Sequence, residues 1–230
     1  MKTLGLIGGV GPESTVDYYR QLVSGFRNKA GGSYPPVIIN SVDLKLLLDW
    51  MAQNRLDLVA DYLAAELRKL ELAGADFAAL ASNTPHIVFD ELQRRSNLPL
   101  VSIVDAACRR VQSQGMKTVG LFGTRYTMQA TFYPNTFARL GLTLVLPNAN
   151  EQAYIHEKYL GELLNDQFLP DTRKEMLRIA ARLQAEHGIE GLILGGTELP
   201  LLLRDEEYDG LRMLDTTRIH VAELIDQMLT

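Results

Sequence analysis

The chain has 230 residues, of which 47% are hydrophobic and 22% are charged, and its formal net charge is −5 at pH 7. This composition is ordinary for a globular protein, and the acidic balance, without a visible basic stripe, argues against binding to a nucleic-acid backbone. The apolar runs are too short for a membrane span, and the single cysteine excludes an intrachain disulfide framework. The apolar run after Met1 is too short and too interrupted for a signal peptide, so we expect a cytoplasmic protein.

Short apolar segments bounded by Gly, Pro or Asn predict β-strands in both halves of the chain. In chain order these segments are Leu4–Ile7, Val37–Ile39, Phe77–Leu80, Val119–Phe122, Leu142–Leu146 and Leu192–Leu194. Between them, apolar residues recur at helical spacing over residues 56–70 and 177–185. Because strands that alternate with helices form parallel sheets, we expect sheets covered by helices on both faces.

The sequence repeats itself at an interval of roughly 115 residues, which favours duplication of a half-domain. Residues 1–8, MKTLGLIG, recur over residues 116–123 as MKTVGLFG. The segment from Leu72 to Thr84 has a second, weaker echo in the segment from Glu186 to Glu198. Since both echoes occur in the same order, chance similarity of short strands is the less favoured explanation.

The repeat predicts an α/β fold of two similar Rossmann-like or flavodoxin-like subdomains, related by a pseudo-twofold axis with a cleft between them. The first subdomain is expected to comprise residues 1–98 and 209–230, and the second residues 99–208. The C-terminal segment around Leu214–Leu229 is expected to return and pack on the first subdomain.

Four turns at predicted strand ends are rich in glycine and hydroxyl residues. They are Gly8–Thr15, Ala81–His86, Gly123–Thr127 and Gly195–Pro200. Backbone N–H groups at the start of a helix bind carboxylate or phosphate oxygens. The turns therefore predict a small anionic ligand.

The first turn also has a partial dinucleotide-binding pattern, Gly9-x-Gly11-x-x-Ser14. Pro12 interrupts this pattern, the third glycine is absent, and no acidic residue follows at the spacing that ribose binding requires. A nucleotide-dependent reductase stays open as an alternative, but it rests on this turn alone. We expect no cofactor and no metal.

Five segments of the sequence resemble the cofactor-independent aspartate/glutamate racemases. They are "GLIGGVGPEST", "SNTPH", "GTRYTM", "GGTELP" and "LDTTRIH". The likeness spans the full length of the chain, and unrelated α/β proteins rarely carry all five segments in this order. It implies a small amino or carboxylic acid as the ligand, chemistry without a cofactor, and a homodimer.

The resemblance also implies a mechanism in which two cysteine thiols, one from each half, exchange the α-proton on opposite faces of the substrate. In this chain the first family cysteine falls on Ser82 and the second on Gly196. Cys108 lies in a helix-like segment away from the turns and is expected to be a small core or interface residue. Ordinary aspartate or glutamate racemisation should therefore be very weak or absent, and cysteines at both substituted positions should create or raise it.

The remaining acid–base candidates are Ser82, His86 and Glu198. For His86 the structural alternative is a hydrogen bond within its own turn, and for Glu198 it is stabilisation by a helix dipole. His220 is expected to be structural. By resemblance, the expected substrate-binding residues are Gly9, Asn83, Thr84, Thr124, Thr127, Gly196 and Thr197.

The sequence does not assign a residue that would bind a second, distal carboxylate of a substrate. The family position for such a residue falls near Leu164, which is apolar. Basic residues elsewhere are Lys45, Arg55, Arg125 and Lys158. Substrate identity is therefore left open.

Three further readings of the function stay open beside the reductase. The first is an enzyme acting at the α-carbon of a small amino or carboxylic acid, by lineage a racemase. The second is one-sided chemistry on the same fold, of the isomerase or decarboxylase type. The third is a non-catalytic protein that keeps the carboxylate-binding residues and has lost the bases.

Overall fold

The strands of the protein form two separate sheets, one of four strands and one of five. The computed structural model describes all residues from Met1 to Thr230. The chain divides into a first unit, residues 1–103 and 220–230, and a second unit, residues 104–219. Each unit contains one of the two sheets.

This division differs from the boundaries expected from the sequence at two places. Residues 99–103 belong to the first unit and not to the second, because Leu100–Val101 pairs with Phe77–Leu80. The sequence also placed residues 209–219 in the first unit. These residues belong to the second unit because Leu211–Asp215 forms a strand that pairs with Gly191–Gly195. The C-terminal residues join the first unit only from His220 onward. There the Lys2 N–H donates to the Met228 carbonyl at 2.9 Å.

The first unit is a four-stranded parallel sheet with its connecting helices. Its strands are β1 (Leu4–Gly8), β2 (Val37–Ser41), β3 (Phe77–Leu80) and β4 (Leu100–Val101). Its helices are α1 (Pro12–Lys29), α2 (Leu44–Ala52), α3 (Leu56–Leu72) and α4 (Phe89–Arg95), with a 3₁₀ helix over Thr84–Val88. The strand order is β2-β1-β3-β4, and the central strands β1 and β3 are buried along their whole length.

The second unit has a five-stranded sheet, parallel except for its last edge strand. Its strands are β5 (Thr118–Gly123), β6 (Thr143–Val145), β7 (Gly191–Gly195), β8 (Glu207–Tyr208) and β9 (Leu211–Asp215). Its helices are α5 (Ile103–Ser113), α6 (Arg125–Gln129), α7 (Phe132–Arg139), α8 (Ala149–Gly161), α9 (Pro170–His187) and α10 (Leu199–Leu202), with a 3₁₀ helix over Leu163–Asn165. The last helix, α11 (Thr216–Leu229), begins in the second unit and continues into the first.

The two sheets share one strand order, which confirms the predicted α/β class with two similar parallel sheets. The order β2-β1-β3-β4 in the first unit corresponds to β6-β5-β7-β9 in the second, to which β8 adds an antiparallel edge. In the registers, Ile7 is opposite Leu80 in one sheet and Gly123 is opposite Gly195 in the other. The carboxyl ends of neighbouring central strands therefore lie side by side in each sheet, where ligands bind in open α/β folds.

Local sequence signals explain several helix ends close to these strand ends. Pro12 is the first residue of α1, a position that needs no backbone N–H. Asp43 caps α2 by accepting a hydrogen bond from the Leu46 N–H at 3.2 Å. Gly188, in the left-handed conformation, ends α9 just before β7. No helix of the structure is long and apolar enough to cross a bilayer.

Candidate functional site

The turn after β1 has a backbone that requires glycine. Gly9 has a φ of 81°, and a β-carbon at this position would lie 2.5 Å from the Val42 carbonyl oxygen. The Gly9 N–H donates to the Thr15 Oγ1 at 2.9 Å, and that hydroxyl donates to the Gly11 carbonyl at 3.2 Å. The turn is thus held by its own residues, and glycine at position 9 lets the Val42 backbone approach closely.

The turn after β3 carries the residues of the SNTPH segment, and all of them are buried. Ser82, Asn83 and Thr84 are 7%, 1% and 9% exposed, respectively. Thr84 begins the 3₁₀ helix, with Pro85 in its first turn. Since β1 and β3 are neighbours, this turn and the Gly9 turn lie at the same edge of the first sheet.

His86 is enclosed by the first unit and is held as a neutral imidazole. Its Nε2 accepts a hydrogen bond from the Ile103 N–H at 3.3 Å, and its ring stacks on Phe89 with the centroids 4.7 Å apart. Burial, followed by the nearby His220, lowers the pKa of His86 to about 3, although hydrogen bonds with the backbone of Ser82 and Asn83 act in the opposite direction. Because the Nε2 lone pair is engaged by Ile103, the geometry favours a structural role for His86.

His220 links two elements of the first unit. Its Nε2 lies 3.1 Å from the Val101 carbonyl oxygen, which can only accept, so this nitrogen carries the proton. Its Nδ1 therefore accepts from the Tyr18 hydroxyl at 2.9 Å. These two hydrogen bonds give His220, the histidine of the closing LDTTRIH segment, a structural role.

The turn after β5 begins α6 with a threonine cap. The Thr124 Oγ1 accepts from the Thr127 N–H at 3.2 Å and lies 3.2 Å from the Thr127 Oγ1. Both threonines are buried. A β-carbon at Gly123 would lie 2.8 Å from the Gly195 carbonyl oxygen, so glycine here lets the turns after β5 and β7 approach each other.

The turn after β7 holds Gly196, Thr197 and Glu198, and here a residue that the sequence did not single out completes the site. The Tyr159 hydroxyl donates a short hydrogen bond to the Glu198 Oε2, and the Thr197 hydroxyl donates to the same oxygen at 3.0 Å. Tyr159 is 5% exposed, and Thr197 and Glu198 are 2% exposed each. The Glu198 carboxylate is therefore an acceptor of two buried hydroxyl groups, in addition to its place at the start of α10.

Gly196 has no room for a side chain. A β-carbon at this position would lie 2.4 Å from the Tyr159 Cε2 and 2.8 Å from its hydroxyl oxygen. The expectation that cysteines at positions 82 and 196 would together create or raise racemisation stays a prediction that depends on this contact. A thiol at position 196 requires the Tyr159 ring to move.

The sequence carried only an indirect signal for Tyr159. It lies on α8 in register with the buried residues Ile155 and Leu163, and this spacing is typical of a core tyrosine. A glycine where a family has a side chain does imply that a neighbouring group fills the space. Which group fills it depends on the packing of α8 against the second sheet, where α8 contacts β5, and the spacing of residues does not reveal that packing.

A buried hydroxyl at the end of β9 was also missed. The Thr216 Oγ1 donates to the Leu194 carbonyl of β7 at 2.8 Å. The next residue, Thr217, is 1% exposed, and its Oγ1 has no hydrogen-bond partner. Since β9 is the neighbour of β7, Thr217 adds a third strand end to this edge of the second sheet.

Cys108 is confirmed as a core residue. It lies in α5 with no exposed surface, and its Sγ is 4.0 Å from the Thr136 carbonyl oxygen. Burial, followed by the nearby Asp105, raises the pKa of the Cys108 thiol to about 11. The thiol is therefore protonated at neutral pH and does not replace the cysteines of the family mechanism.

The structure gives no basic side chain a clear role as the anchor for a distal carboxylate. Three of the four basic candidates are paired with carboxylates nearby. The pairs are Lys45–Asp49, Arg55–Asp57 and Lys158–Glu162, each with an N–O distance of 2.6 Å. The Arg125 guanidinium lies 5.7 Å from the centroid of the Tyr126 ring.

Comparison with known proteins places these residues in a family. Residues 7–224 match the family model described as Asp/Glu/Hydantoin racemase. The chain is 26% identical over 166 residues to the broad specificity amino-acid racemase RacX of Bacillus subtilis, covering 70% of this chain and 67% of that protein.

Two solved structures have the same fold over the whole chain. One is a candidate Asp/Glu racemase from Yersinia pestis, with 31% identity and a TM-score of 0.91. The other is an aspartate racemase homologue from Pyrococcus horikoshii, with 35% identity and a TM-score of 0.82. Both similarities cover 100% of this chain and 100% of the related chain.

Proposed function

Because the chain belongs to the Asp/Glu/Hydantoin racemase family, we propose that it binds a small amino acid and exchanges the proton on its α-carbon without pyridoxal phosphate. The observation that carries this proposal is the set of buried polar residues at the carboxyl ends of the central strands. They follow β3 in the first unit and β5 and β7 in the second. Polar groups at the carboxyl ends of parallel strands lie where ligands bind in open α/β folds.

The proposed binding residues divide by chemistry. Asn83 offers an amide with two donors and one acceptor, and Thr84 offers a hydroxyl group. Donors of this kind, together with backbone N–H groups, bind a substrate carboxylate and stabilise the enolate that forms when the α-proton leaves. The Thr197 hydroxyl donates its proton to Glu198 and can therefore only accept from a substrate, for example from the amino group. Thr124 and Thr127 position the neighbouring turn through their mutual hydrogen bonds.

The chemistry that we propose differs from the two-thiol mechanism of the family. Ser82 stands at one cysteine position, Gly196 stands at the other, and the remaining thiol is buried elsewhere. A serine hydroxyl is a poor base unless a neighbour activates it. Proton transfer would therefore be slow with aspartate or glutamate, and Glu198 is the buried carboxylate that the turn after β7 supplies.

A non-catalytic amino-acid or carboxylate-binding protein is the second candidate. It is favoured by the filled space at Gly196, which leaves no room for a thiol. One-sided chemistry of the isomerase or decarboxylase type is the third, because a single acid–base group is enough for it.

Deuterium exchange at the α-carbon separates these candidates. The protein is incubated in D₂O with a panel of D- and L-amino acids, and the products are analysed by NMR and by chiral chromatography. Exchange with inversion supports racemisation, and exchange with retention supports one-sided chemistry. Thermal stabilisation by an amino acid without exchange supports a binding protein.

Two threonine variants provide the matched control for ligand binding. Thr197→Val removes a buried hydroxyl of the proposed site with little change in volume. It should raise the ligand concentration needed for a given thermal stabilisation by about tenfold or more. Thr143→Val makes the same substitution on the exposed edge strand β6 and should leave that stabilisation unchanged. Equal ligand binding by both variants would remove Thr197 from the site.

We also propose that the protein is a homodimer of the cytoplasm, as the resemblance to the racemases implies. Light scattering coupled to size-exclusion chromatography measures the mass directly. A mass near that of a single 25.7 kDa chain at micromolar concentration would contradict the dimer.

A further inference from the structure

The absence of a side chain at position 196 is not required by the backbone. Gly196 does not have the positive φ that favours glycine, unlike Gly9. The restriction is one of space, because the three nearest atoms to a β-carbon there would all belong to Tyr159. The Tyr159 ring therefore occupies the volume that a side chain at position 196 would need.

Tyr159 is held in this place by the way α8 is anchored. The helix begins with a capping box, in which Asn148 and Glu151 each accept a hydrogen bond from the other's backbone N–H. The same Glu151 side chain pairs with Arg182 of α9. The aromatic ring is thus placed by a helix fixed at its start, not by a mobile segment.

The Tyr159 hydroxyl is part of a buried acid–base pair. It donates to the Glu198 Oε2, which also accepts from Thr197. Burial raises the pKa of the Tyr159 phenol well above its usual value, and the charge of Glu198 and the hydrogen bond to it raise it further. One transferable proton is therefore shared between a phenol and a carboxylate beside the position of the absent side chain.

We propose that Tyr159 and Glu198 together replace the missing side chain of position 196 as the acid–base group of the second unit. The inference rests on the proposed function, because it assigns residues to the proton exchange at the α-carbon. Tyr159 is the group that accepts the proton of Cα, and Glu198 is the group that accepts the phenolic proton of Tyr159.

The proton transfer balances without any further reactant. The Cα–H bond of the amino acid breaks, its proton forms a bond to the Tyr159 Oη, and its electron pair passes into the substrate carboxylate as an enolate. The phenolic proton moves at the same time to the Glu198 Oε2. The products are a neutral phenol, a neutral carboxylic acid and the enolate, and the reverse sequence returns a proton to Cα.

This relay avoids the species that would be hardest to form. A phenolate beside an ionised Glu198 would place two negative charges close together in a buried site. In the relay the phenol is neutral at both ends of the transfer. A carboxylate that acted directly on Cα would not need the Tyr159 hydroxyl, and this difference makes the proposal testable.

The test compares two tyrosine variants in the α-deuterium exchange assay. Tyr159→Phe keeps the ring that fills the space at Gly196 and removes only the hydroxyl, and it should lower the exchange rate by roughly 100-fold or more. Tyr154→Phe removes the hydroxyl of a half-buried tyrosine on another face of α8, and it should leave the rate within about twofold of the parent. Circular dichroism and thermal melting check that both variants fold.

A second variant keeps the proposal testable if Tyr159→Phe does not fold. Glu198→Gln preserves size and hydrogen bonding but cannot store the proton, and it should lower the exchange rate to a similar extent. The pH dependence of the remaining exchange should change in this variant, which a purely structural role of Glu198 would not produce.

The outcomes separate this inference from the proposed function. Exchange by Tyr159→Phe at the parental rate overturns the relay and leaves the proposed function standing. Exchange by Glu198→Gln at the parental rate has the same meaning. An unmodified protein that exchanges no amino acid of the panel overturns both the proposed function and the acid–base role of the pair.

Discussion

The turns after β3 and β7 occupy equivalent places in two sheets of the same strand order, but they differ where the family resemblance expects a cysteine. In the first unit Ser82 keeps a small polar side chain at this position. In the second unit Gly196 has none, and the aromatic ring of Tyr159 fills its space. The comparison shows that a side chain from a neighbouring helix can fill the space of an absent one and, as we propose, take over its chemistry. Each substitution therefore has to be interpreted together with the residues that surround it.

The ionisable residues behind the two turns differ as well. His86 is buried next to Ser82 as a neutral ring whose Nε2 accepts from the backbone of Ile103. Glu198 is buried next to Gly196 and accepts from two hydroxyl groups. The first turn is therefore built to exclude a charge, whereas the second is built around an acceptor. This contrast leads us to assign the acid–base chemistry of the second unit to the turn that holds Glu198.

The largest effect that we predict concerns acid stability of the first unit. The unfolded chain protonates His86 near pH 6.5, but the folded chain does so only near pH 3, so the unfolded state binds more protons between these values. The free energy of unfolding should therefore fall as the pH falls through this window, by up to about 1.4 kcal/mol per pH unit from this residue. Urea unfolding at several pH values measures the slope.

Two histidine variants test that assignment. His86→Gln should flatten the slope between pH 6 and pH 4, even if it lowers stability at neutral pH, because it removes the group that must charge on unfolding. His187→Gln changes an exposed histidine at the end of α9 and should keep the parental slope. A parental slope in His86→Gln would assign the acid sensitivity to other groups. The first to test would be His220, the side chain whose charge lowers the pKa of His86.

The second prediction concerns the space at position 196. Gly196→Cys should lower the free energy of unfolding by about 1–3 kcal/mol, because the new side chain collides with the buried Tyr159 ring. Gly161→Cys is the matched control, since a β-carbon at this residue of α8 would meet no atom within 4 Å. Thermal and urea unfolding of both variants give the comparison. Equal stability of the two would show that Tyr159 moves aside without cost.

Much of the fold follows from the sequence, because the signals are local. The central strands of both sheets and the long helices α3 and α9 are predicted from apolar periodicity and glycine-rich turns. The strand β9 was missed because the charged residues Arg212 and Asp215 interrupt the apolar run of Leu211–Asp215, and the unit boundary shifted with it.

The candidate site is less readable from the sequence than the fold. Ser82, Asn83, Thr197 and Glu198 lie within recognisable segments, and their burial at strand ends follows from the turns that carry them. Tyr159 stands 37 residues before Gly196 in the chain, within an ordinary amphipathic helix. Its contact with Gly196 depends on the packing of α8 against the second sheet, where α8 contacts β5, and this packing is a property of the tertiary structure.

The third prediction concerns the hydroxyl of Thr217, at the end of β9. Thr217→Val should raise the free energy of unfolding by up to about 1 kcal/mol in the absence of a ligand, because a buried hydroxyl without a partner is removed. Thr172→Val should lower it instead, since that hydroxyl donates to the Glu162 carboxylate at 2.5 Å. If Thr217→Val destabilises the protein as much as Thr172→Val does, the Thr217 hydroxyl has a partner in solution.

The smallest effect on stability is expected at Ser82, and it sharpens the comparison between the two turns. Ser82→Cys exchanges an oxygen for a sulfur in a side chain that is 7% exposed, so the free energy of unfolding should change by less than about 0.5 kcal/mol. The effect of Ser82→Cys on the rate of proton exchange should be large, in contrast to its small effect on stability. A thiol is partly ionised near neutral pH, whereas a serine hydroxyl is not, so the variant gains a base on the side of the first unit.

With Tyr159 and Glu198 as the second acid–base group that we propose, we expect Ser82→Cys alone to increase α-deuterium exchange and inversion by about tenfold or more, following the ionisation of the new thiol as the pH rises. Gly196→Cys, by contrast, should give no increase, because it displaces the pair that we assign to the second unit. The same exchange assay, run on both variants and on the double variant, measures this asymmetry. An increase from Gly196→Cys and none from Ser82→Cys would reverse the roles that we give to the two turns.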